Sequence, residues 1–248
     1  MSMQSPRLTN GVASSQTIYQ STTDARHDVG TRGQMEDGRV FYYARNSSTA
    51  LAPGKPVQSM EVDTDYQNIN PSAAAAIGAT SVAVTLGGAN TIVANEYNGG
   101  YLVVNDAAGE GYTYRILGNA AVAAGTALTL TLDDEIIVAL TTSSEVCVQK
   151  NLFADLVIAA AGHVHHMAGI PQMTVPIGTT AAPVYFWVQT WGVTGGWDYA
   201  STAVGAPLQS GATEGQLEVN DGAAQLVGTQ LVVGVATEYR TKTLSVMP

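Results

Sequence analysis

The sequence predicts a mainly β fold, built as one or two small β-barrel or β-sandwich units with an extended N-terminal arm. Apolar and polar residues alternate with a period of two in short runs such as SVAVTL and EVCVQ, which is the pattern of half-buried strands. Gly, Asn and Asp residues separate these runs at close spacing, as they do at tight turns. The composition agrees, because 46% of the residues are apolar and the 26 Gly residues are scattered among Val, Thr and Ser.

The same pattern divides the chain into four segments. Residues 1–25 are rich in Ser, Thr, Gln and Asn and have no apolar period, so we expect an extended arm or a segment that remains loose until bound. An Asp-Gly turn and an aromatic strand then predict a hairpin, and about six short strands precede the aromatic run VYFWVQTWG. The predicted segments are an arm and hairpin (1–57), a linker (58–78), a first β domain (79–150) and a second β domain (151–248).

Charged residues make up only 12% of the chain, against about a quarter in typical proteins, which favours a subunit of an assembly. Residues 1–55 contain six of the ten Lys and Arg residues and four of the twenty acids, so this segment is +2 and the remainder is −12. An acidic body without clustered basic residues predicts no nucleic-acid partner. The basic segment either docks on an acidic protein surface or is simply solvated.

Neither a membrane segment nor a secretory signal is evident in the sequence. The first residues are polar, and no apolar run approaches the roughly 20 residues that cross a bilayer. We therefore expect a soluble protein made in a cytoplasm, with no membrane partner. The single cysteine, Cys147, lies between two valines in an alternating run, which indicates a small core residue.

Three of the four histidines, His163, His165 and His166, form the most conspicuous candidate site. Imidazole binds zinc well, and a metal held at a symmetry axis by several subunits is one interpretation. A stable zinc site usually needs three or four ligands, and no HExxH or Cys-rich motif supplies more. We therefore predict a histidine cluster without metal, and no cofactor.

A group of aromatic residues lies in the run from 185 to 199. Such residues form a core, a subunit contact or, if exposed, a carbohydrate platform; aromatic enrichment at protein interfaces favours the first two. The interface candidates are Tyr185, Trp187, Trp191 and Trp197. No G-x-S-x-G, P-loop or dinucleotide motif is present, so we predict no catalytic residues and no enzymatic activity.

Several stretches resemble a known group of virion proteins. They are HDVGTRGQMEDGRVFYYARNSSTALAPGKPV, EYNGGYLVVNDAAGEGYTYRI with LTLTLDDEIIVALTTSSEV, and VYFWVQTWGV with TAVGAPLQSG and LVVGVATEYRTKTLSV. Together they are similar to the capsid decoration, cement and head structural proteins of tailed bacteriophages, over most of residues 27–246. The HVHH run and residues 167–173 match no pattern of that group.

The resemblance implies a structural subunit on the outer surface of the virion capsid. Proteins of this group bind the major capsid protein as trimers or other homo-oligomers, often through an N-terminal arm, and stabilise the shell. The candidate capsid contacts in this chain are Arg26, Arg32, Arg39, Tyr42, Tyr43 and Arg45. The alternative is an adhesin or carbohydrate-binding virion protein of the head or tail fibre.

Overall fold

The computed structural model describes residues 5–46, 48–60, 63–162, 166–222 and 224–247. Strands account for 44% of the chain and helix for 1%, so the predicted mainly β fold is confirmed. Among the described residues, no helix is long and apolar enough to cross a membrane. The chain divides into a larger unit, residues 1–60 with 153–248, and a smaller unit, residues 61–152.

Seventeen strands are present in the described parts of the chain. The first four belong to the larger unit and are β1 (Arg7–Leu8), β2 (Arg32–Gln34), β3 (Val40–Asn46) and β4 (Val57–Gln58). The smaller unit contains a 3₁₀ turn (Thr64–Tyr66), then β5 (Asn70–Pro71), β6 (Ser81–Ile92), β7 (Tyr101–Asp106), β8 (Thr113–Asn119), β9 (Val122–Leu132) and β10 (Glu145–Gln149). The larger unit resumes with β11 (Val157–Ile158), β12 (Met167–Pro171), β13 (Val184–Trp197), β14 (Pro207–Ser210), β15 (Leu217–Val219), β16 (Gly228–Gln230) and β17 (Tyr239–Ser245).

The smaller unit is a nearly closed, barrel-like antiparallel sheet in the order β10-β7-β8-β9-β6-β5. Ile69 and Val146 bring its two ends together through two backbone hydrogen bonds, at 3.0 and 2.8 Å. Alternation in β6 turns Val82, Val84 and Leu86 inward, as expected for a strand with one solvent face. Residues 63–78, which the sequence predicts as a linker, contribute β5 and core side chains to this unit.

The larger unit is organised around the 14-residue strand β13. Its first half pairs with β3 and its second half with β17, and the main sheet path runs β1-β2-β3-β13-β17-β16-β14-β15. Strand β12 joins β13 to the short strands β4 and β11. A long central strand with neighbours from distant parts of the chain explains why residues 5–60 and 153–247 form one unit.

The N-terminal segment lies against this sheet. Ile18 is fully buried in a cluster with Phe41, Tyr43 and Trp187, which come from β3 and β13. The sequence predicts a loose, extended arm because residues 1–25 lack an apolar period. The structure instead places the described part of that segment in the larger unit, where one apolar residue and several polar side chains suffice to fix it.

A buried ion pair links the end of β13 to β17. Asp198 and Lys242 are both completely buried, and the Lys242 Nζ lies 2.5 Å from Asp198 Oδ1. Lys242 also donates to Gln230 Oε1 at 2.9 Å, and the Gln230 amide donates to Asp198 Oδ2 at 3.2 Å. The Lys242 stem fits because it crosses Gly196, where an added Cβ would lie 2.8 Å from two of its carbons. Each charge is thus paired and hydrogen-bonded, as burial requires.

Candidate interaction surface

Exposed apolar side chains are concentrated in one stretch of the sequence of the larger unit. Of the 20 large apolar residues that are exposed in the described chain, 11 lie between positions 191 and 239, which is about a fifth of the sequence. Where such side chains adjoin one another in a patch, they are typical of sites that contact other proteins or ligands. The residues are Trp191, Val193, Tyr199, Val204, Val219, Leu226, Leu231, Val232, Val233, Val235 and Tyr239.

The densest part is a loop at residues 231–235, here called the apolar loop. Leu231, Val232, Val233 and Val235 are 36–58% exposed, whereas Gly234 is buried. The Gly234 N–H donates to the Thr202 carbonyl at 2.7 Å, and the Thr202 N–H donates back at 3.4 Å. A Cβ at position 234 would lie 2.8 Å from the Thr202 Cβ, so this close approach requires glycine. The loop is therefore anchored at its glycine and presents its branched side chains to solvent.

Strand β13 adds two exposed residues, Trp191 and Val193. The pairing with β3 shifts register between Gln189 and Trp191, a β-bulge that changes which side chains point outward. Gln189 is fully buried, whereas Trp191 is 41% and Val193 51% exposed. Thr194, the next residue, is buried again. The second half of β13 thus has one solvent face, although its first half is covered on both faces.

The four predicted interface aromatics occupy different environments. Trp187 is fully buried, and Tyr185 is half-buried and stacked on Tyr43 with ring centroids 6.0 Å apart. Trp191 is exposed, and Trp197 is half-buried beneath the Lys55 ammonium, which lies 4.2 Å from its ring centroid. Of these four, Trp191 presents the largest exposed surface. Trp187 packs in a buried cluster of the larger unit.

Two of the predicted capsid contacts lie inside the larger unit. Tyr43 is fully buried, and its hydroxyl donates to Gln16 Oε1 at 2.8 Å. Arg45 is 8% exposed and forms a two-point ion pair with the buried Asp155, at 2.9 and 3.1 Å. In this conformation both side chains stabilise the fold and offer almost no surface to another protein.

The other four predicted contacts are closer to solvent. Arg26 is exposed, Arg32 is half-buried with its guanidinium 3.4 Å from Gln34, and Tyr42 is half-buried and stacked on Phe153 at 4.5 Å. Arg39 donates to Asp37 at 2.7 Å, and its side chain is 15% exposed. Among the six candidates, Arg26 is the one that combines a positive charge with an exposed position.

Arg26 lines a groove of about 510 Å³ beside β1. His27 lies in the same groove, and its Nε2 is 2.8 Å from the Ser14 hydroxyl. The centroid of its ring lies 5.2 Å from that of Tyr43, in an edge-on contact, and 5.5 Å from that of Trp187. Burial lowers the pKa of His27, and the neighbouring Asp28 carboxylate opposes this shift. Folding thus makes the neutral imidazole more favourable than it is in a free histidine.

Only one of the three clustered histidines is described by the structure. His166 is exposed, and its backbone carbonyl accepts a hydrogen bond from the Ser59 N–H at 3.0 Å. His163 and His165 lie outside the described residues. Among the residues that are described, no group of three or more His, Cys, Asp and Glu side chains is placed to hold a metal ion.

The apolar loop is a feature that sequence reasoning misses. The run LVVGV predicts strands with Gly-marked turns, because branched apolar residues favour strands. The signal is the apolar run itself, but only tertiary contacts show that four of these side chains remain outside the core.

No family model matches the chain, and neither a curated protein nor a solved structure is significantly similar to it.

Proposed function

We propose that this chain is a non-enzymatic structural protein of a tailed-phage virion, bound to the outer surface of the capsid as a decoration or cement subunit. The observation that carries the proposal is the set of 11 exposed apolar side chains between residues 191 and 239, four of which lie together in the apolar loop. The kind of partner, the major capsid protein, rests on the sequence resemblance of residues 27–246 alone, since no family model or similar protein identifies it. We further propose that the subunit binds as a homo-oligomer, with a trimer as the expected form.

The apolar loop supports a protein partner because its shape is fixed before binding. Two backbone hydrogen bonds hold Gly234 against Thr202, so binding orders little additional backbone. Its exposed side chains are aliphatic and uncharged, and depletion of charge is typical of the buried centre of an interface. A loop of this kind contributes affinity by removing apolar surface from water.

Arg26 supports a second, polar contact outside the apolar surface. It is exposed in the basic N-terminal segment, in contrast to the buried Arg45. Complementary charge at an interface mainly increases the association rate and selects the partner. Many copies on one lattice reinforce one another, so each contact need not be strong.

The test is cosedimentation of the purified chain with capsids of its own phage that lack it, together with its mass under native conditions. We expect the wild-type chain to sediment with the capsids and Val233→Asp to bind at least about tenfold more weakly, because a carboxylate would be desolvated in the contact. The Val233 side chain is 58% exposed, so the substitution should leave folding intact.

Ile177→Asp is the matched control, because Ile177 is also exposed in the larger unit, at 63%, but lies outside the 191–239 surface. Its capsid binding should equal that of the wild type. A wild-type chain that stays in the supernatant and protects no capsid against heat would refute the proposal. Equal capsid binding by Val233→Asp and wild type would show that the apolar loop does not contact the capsid.

A further inference from the structure

A second feature of the larger unit is a shallow groove of about 380 Å³ beside the second half of β13. It is lined by Pro53, Gly54, Gln172, Gly195 and Tyr239. Its volume lies at the small end of the range of about 300–1,000 Å³ that holds small ligands. The groove therefore suits a ligand of one or two rings.

One wall of the groove is an aromatic ring that packs against neighbouring residues. Tyr239 is 53% exposed, yet its ring stacks beside that of Trp197, with centroids 6.3 Å apart and planes 21° apart. It also touches Gly54, where a Cβ would lie 2.7 Å from two ring carbons. Lys55 lies over Trp197 and supports it. An exposed ring that already packs against two neighbours loses less conformational entropy on binding a ligand than a ring without such contacts.

The other residues of the groove are a side-chain amide, Gln172, and an exposed glycine, Gly195, at its base. The Gln172 Nε2 donates to Thr194 Oγ1 at 2.9 Å and to the Ile170 carbonyl at 3.5 Å, which orients the amide and leaves its carbonyl oxygen to accept from a ligand. Gly195 is exposed, and a Cβ added there would meet nothing within 4 Å. The five lining residues carry no charge.

The backbone beside the groove is already paired at two positions. The Gly54 N–H donates to the Pro171 carbonyl at 3.1 Å, and the Trp197 N–H donates to the Gly54 carbonyl at 3.0 Å. A peptide that binds by strand addition needs unpaired backbone groups, which these two positions do not provide. The groups available to bind a ligand are therefore the Tyr239 ring, the Gln172 amide and the open space above Gly195.

We propose that this groove binds a neutral carbohydrate, with one face of a pyranose ring stacked on Tyr239 and hydroxyl groups bonded to the Gln172 amide. The C–H groups on a pyranose face are apolar and match an aromatic ring, whereas the hydroxyls around its edge require hydrogen-bond partners. An uncharged lining favours a neutral sugar over an acidic one. The groove includes Tyr239, which is also one of the 11 exposed apolar residues, but none of the residues of the apolar loop, so sugar binding and capsid attachment can be tested separately.

The experiment screens the full-length chain on an immobilised panel of neutral cello-, malto-, chito- and β-galacto-oligosaccharides, and titrates the best sugar by tryptophan fluorescence. We expect millimolar or tighter binding to at least one series. Tyr239→Ala should weaken it about tenfold and Tyr239→Phe should retain it, because the ring face carries the contact. Gly195→Val should abolish it by filling the open space above this position, without removing any aromatic ring.

Val193→Thr is the matched control, because Val193 is exposed on the same strand but does not line the groove. It should bind sugar as the wild type does. Absence of binding to every series at millimolar concentration would overturn the inference, as would full binding by Gly195→Val. If Gly195→Val changed the oligomeric mass and the wild type bound no sugar, the groove would be a contact between copies. Capsid cosedimentation is read separately, so failure of one proposal is distinguishable from failure of the other.

Discussion

The indole N–H of Trp187, in β13, donates a hydrogen bond of 3.1 Å to the main-chain carbonyl of Gln16, 171 positions earlier in the chain. The Gln16 side chain adds one accepted and one donated hydrogen bond. Its Oε1 accepts from the Tyr43 hydroxyl at 2.8 Å, and its Nε2 donates to the Tyr185 carbonyl at 3.0 Å. One buried glutamine therefore attaches the N-terminal segment to two strands of the sheet.

Replacing Gln16 with Ala should destabilise the protein by about 2–4 kcal/mol, because it leaves the buried Tyr43 hydroxyl and Tyr185 carbonyl without this partner. Urea unfolding followed by tryptophan fluorescence would measure the change. Thr23→Ala, at an exposed position of the same segment, is the control and should stay within about 0.5 kcal/mol of wild type. Equal midpoints for both variants would show that the segment does not stabilise the sheet.

The pair formed by Asp198 and Lys242 predicts strong coupling. Lys242→Met leaves a buried carboxylate unpaired and should lower the free energy of unfolding by about 3–5 kcal/mol. Asp198→Asn combined with Lys242→Met carries no buried charge and should be more stable than either single variant. Chemical denaturation of wild type, both single variants and the double variant gives the coupling energy.

An exposed ion pair provides the comparison. Arg115 and Asp133 lie 3.1 Å apart with side chains 44% and 43% exposed. Arg115→Met should therefore lower the free energy of unfolding by less than about 1 kcal/mol, because solvent screens the attraction.

At the buried pair, additive effects of Asp198→Asn and Lys242→Met on the free energy of unfolding would contradict the arrangement described for Asp198 and Lys242.

His27 makes the stability of the larger unit depend on pH. Burial holds its pKa below the value of 6.5 that applies to the unfolded chain, so the unfolded state takes up the proton first on acidification. The contribution of neutral His27 is fully present above pH 6.5 and is lost as the pH falls from there through the lowered folded-state pKa. Melting curves between about pH 7.5 and 5 should show this loss in wild type and a shallower dependence in His27→Gln.

Asp28 provides a check on the sign of this effect. Its carboxylate raises the pKa of His27 against the effect of burial, so Asp28→Asn should lower that pKa further. The gap to the unfolded value then widens, and acidification should destabilise Asp28→Asn more than wild type. Parallel curves for wild type, His27→Gln and Asp28→Asn would argue against a buried neutral His27.

Two glycines of the main sheet should respond oppositely to alanine. A Cβ on Gly228 would lie 1.8 Å from the Thr243 carbonyl oxygen of the neighbouring strand, which cannot move without breaking the pairing. Gly228→Ala should therefore destabilise by about 1–3 kcal/mol or more. Gly195→Ala enters open space and should stabilise by up to about 1 kcal/mol, because glycine is unfavourable within a strand. Thermal melts of both variants test this; a stable Gly228→Ala would contradict the strand register.

The fold class can be predicted from the sequence because it depends on local pattern. In SVAVTL the alternation alone identifies Val82, Val84 and Leu86 as the inward residues, and the structure buries all three. Gly and Asn residues likewise mark many of the turns. These features need no knowledge of distant residues, since a two-residue period already defines the two faces of a strand.

The environment of the aromatic run could not be predicted in the same way. Tyr185 and Trp187 share a face, as the period requires, but the N-terminal segment covers that face, and the bulge before Trp191 reorients the side chains beyond it. Lys242 occupies an inward position like Leu244, and only Asp198, 44 residues away, makes its burial possible. The sequence by itself thus determined the fold class and strands with clear alternation such as β6, because periodicity is local. Tertiary structure alone decided which side chains stay exposed to meet a partner, because burial depends on segments that are distant along the chain.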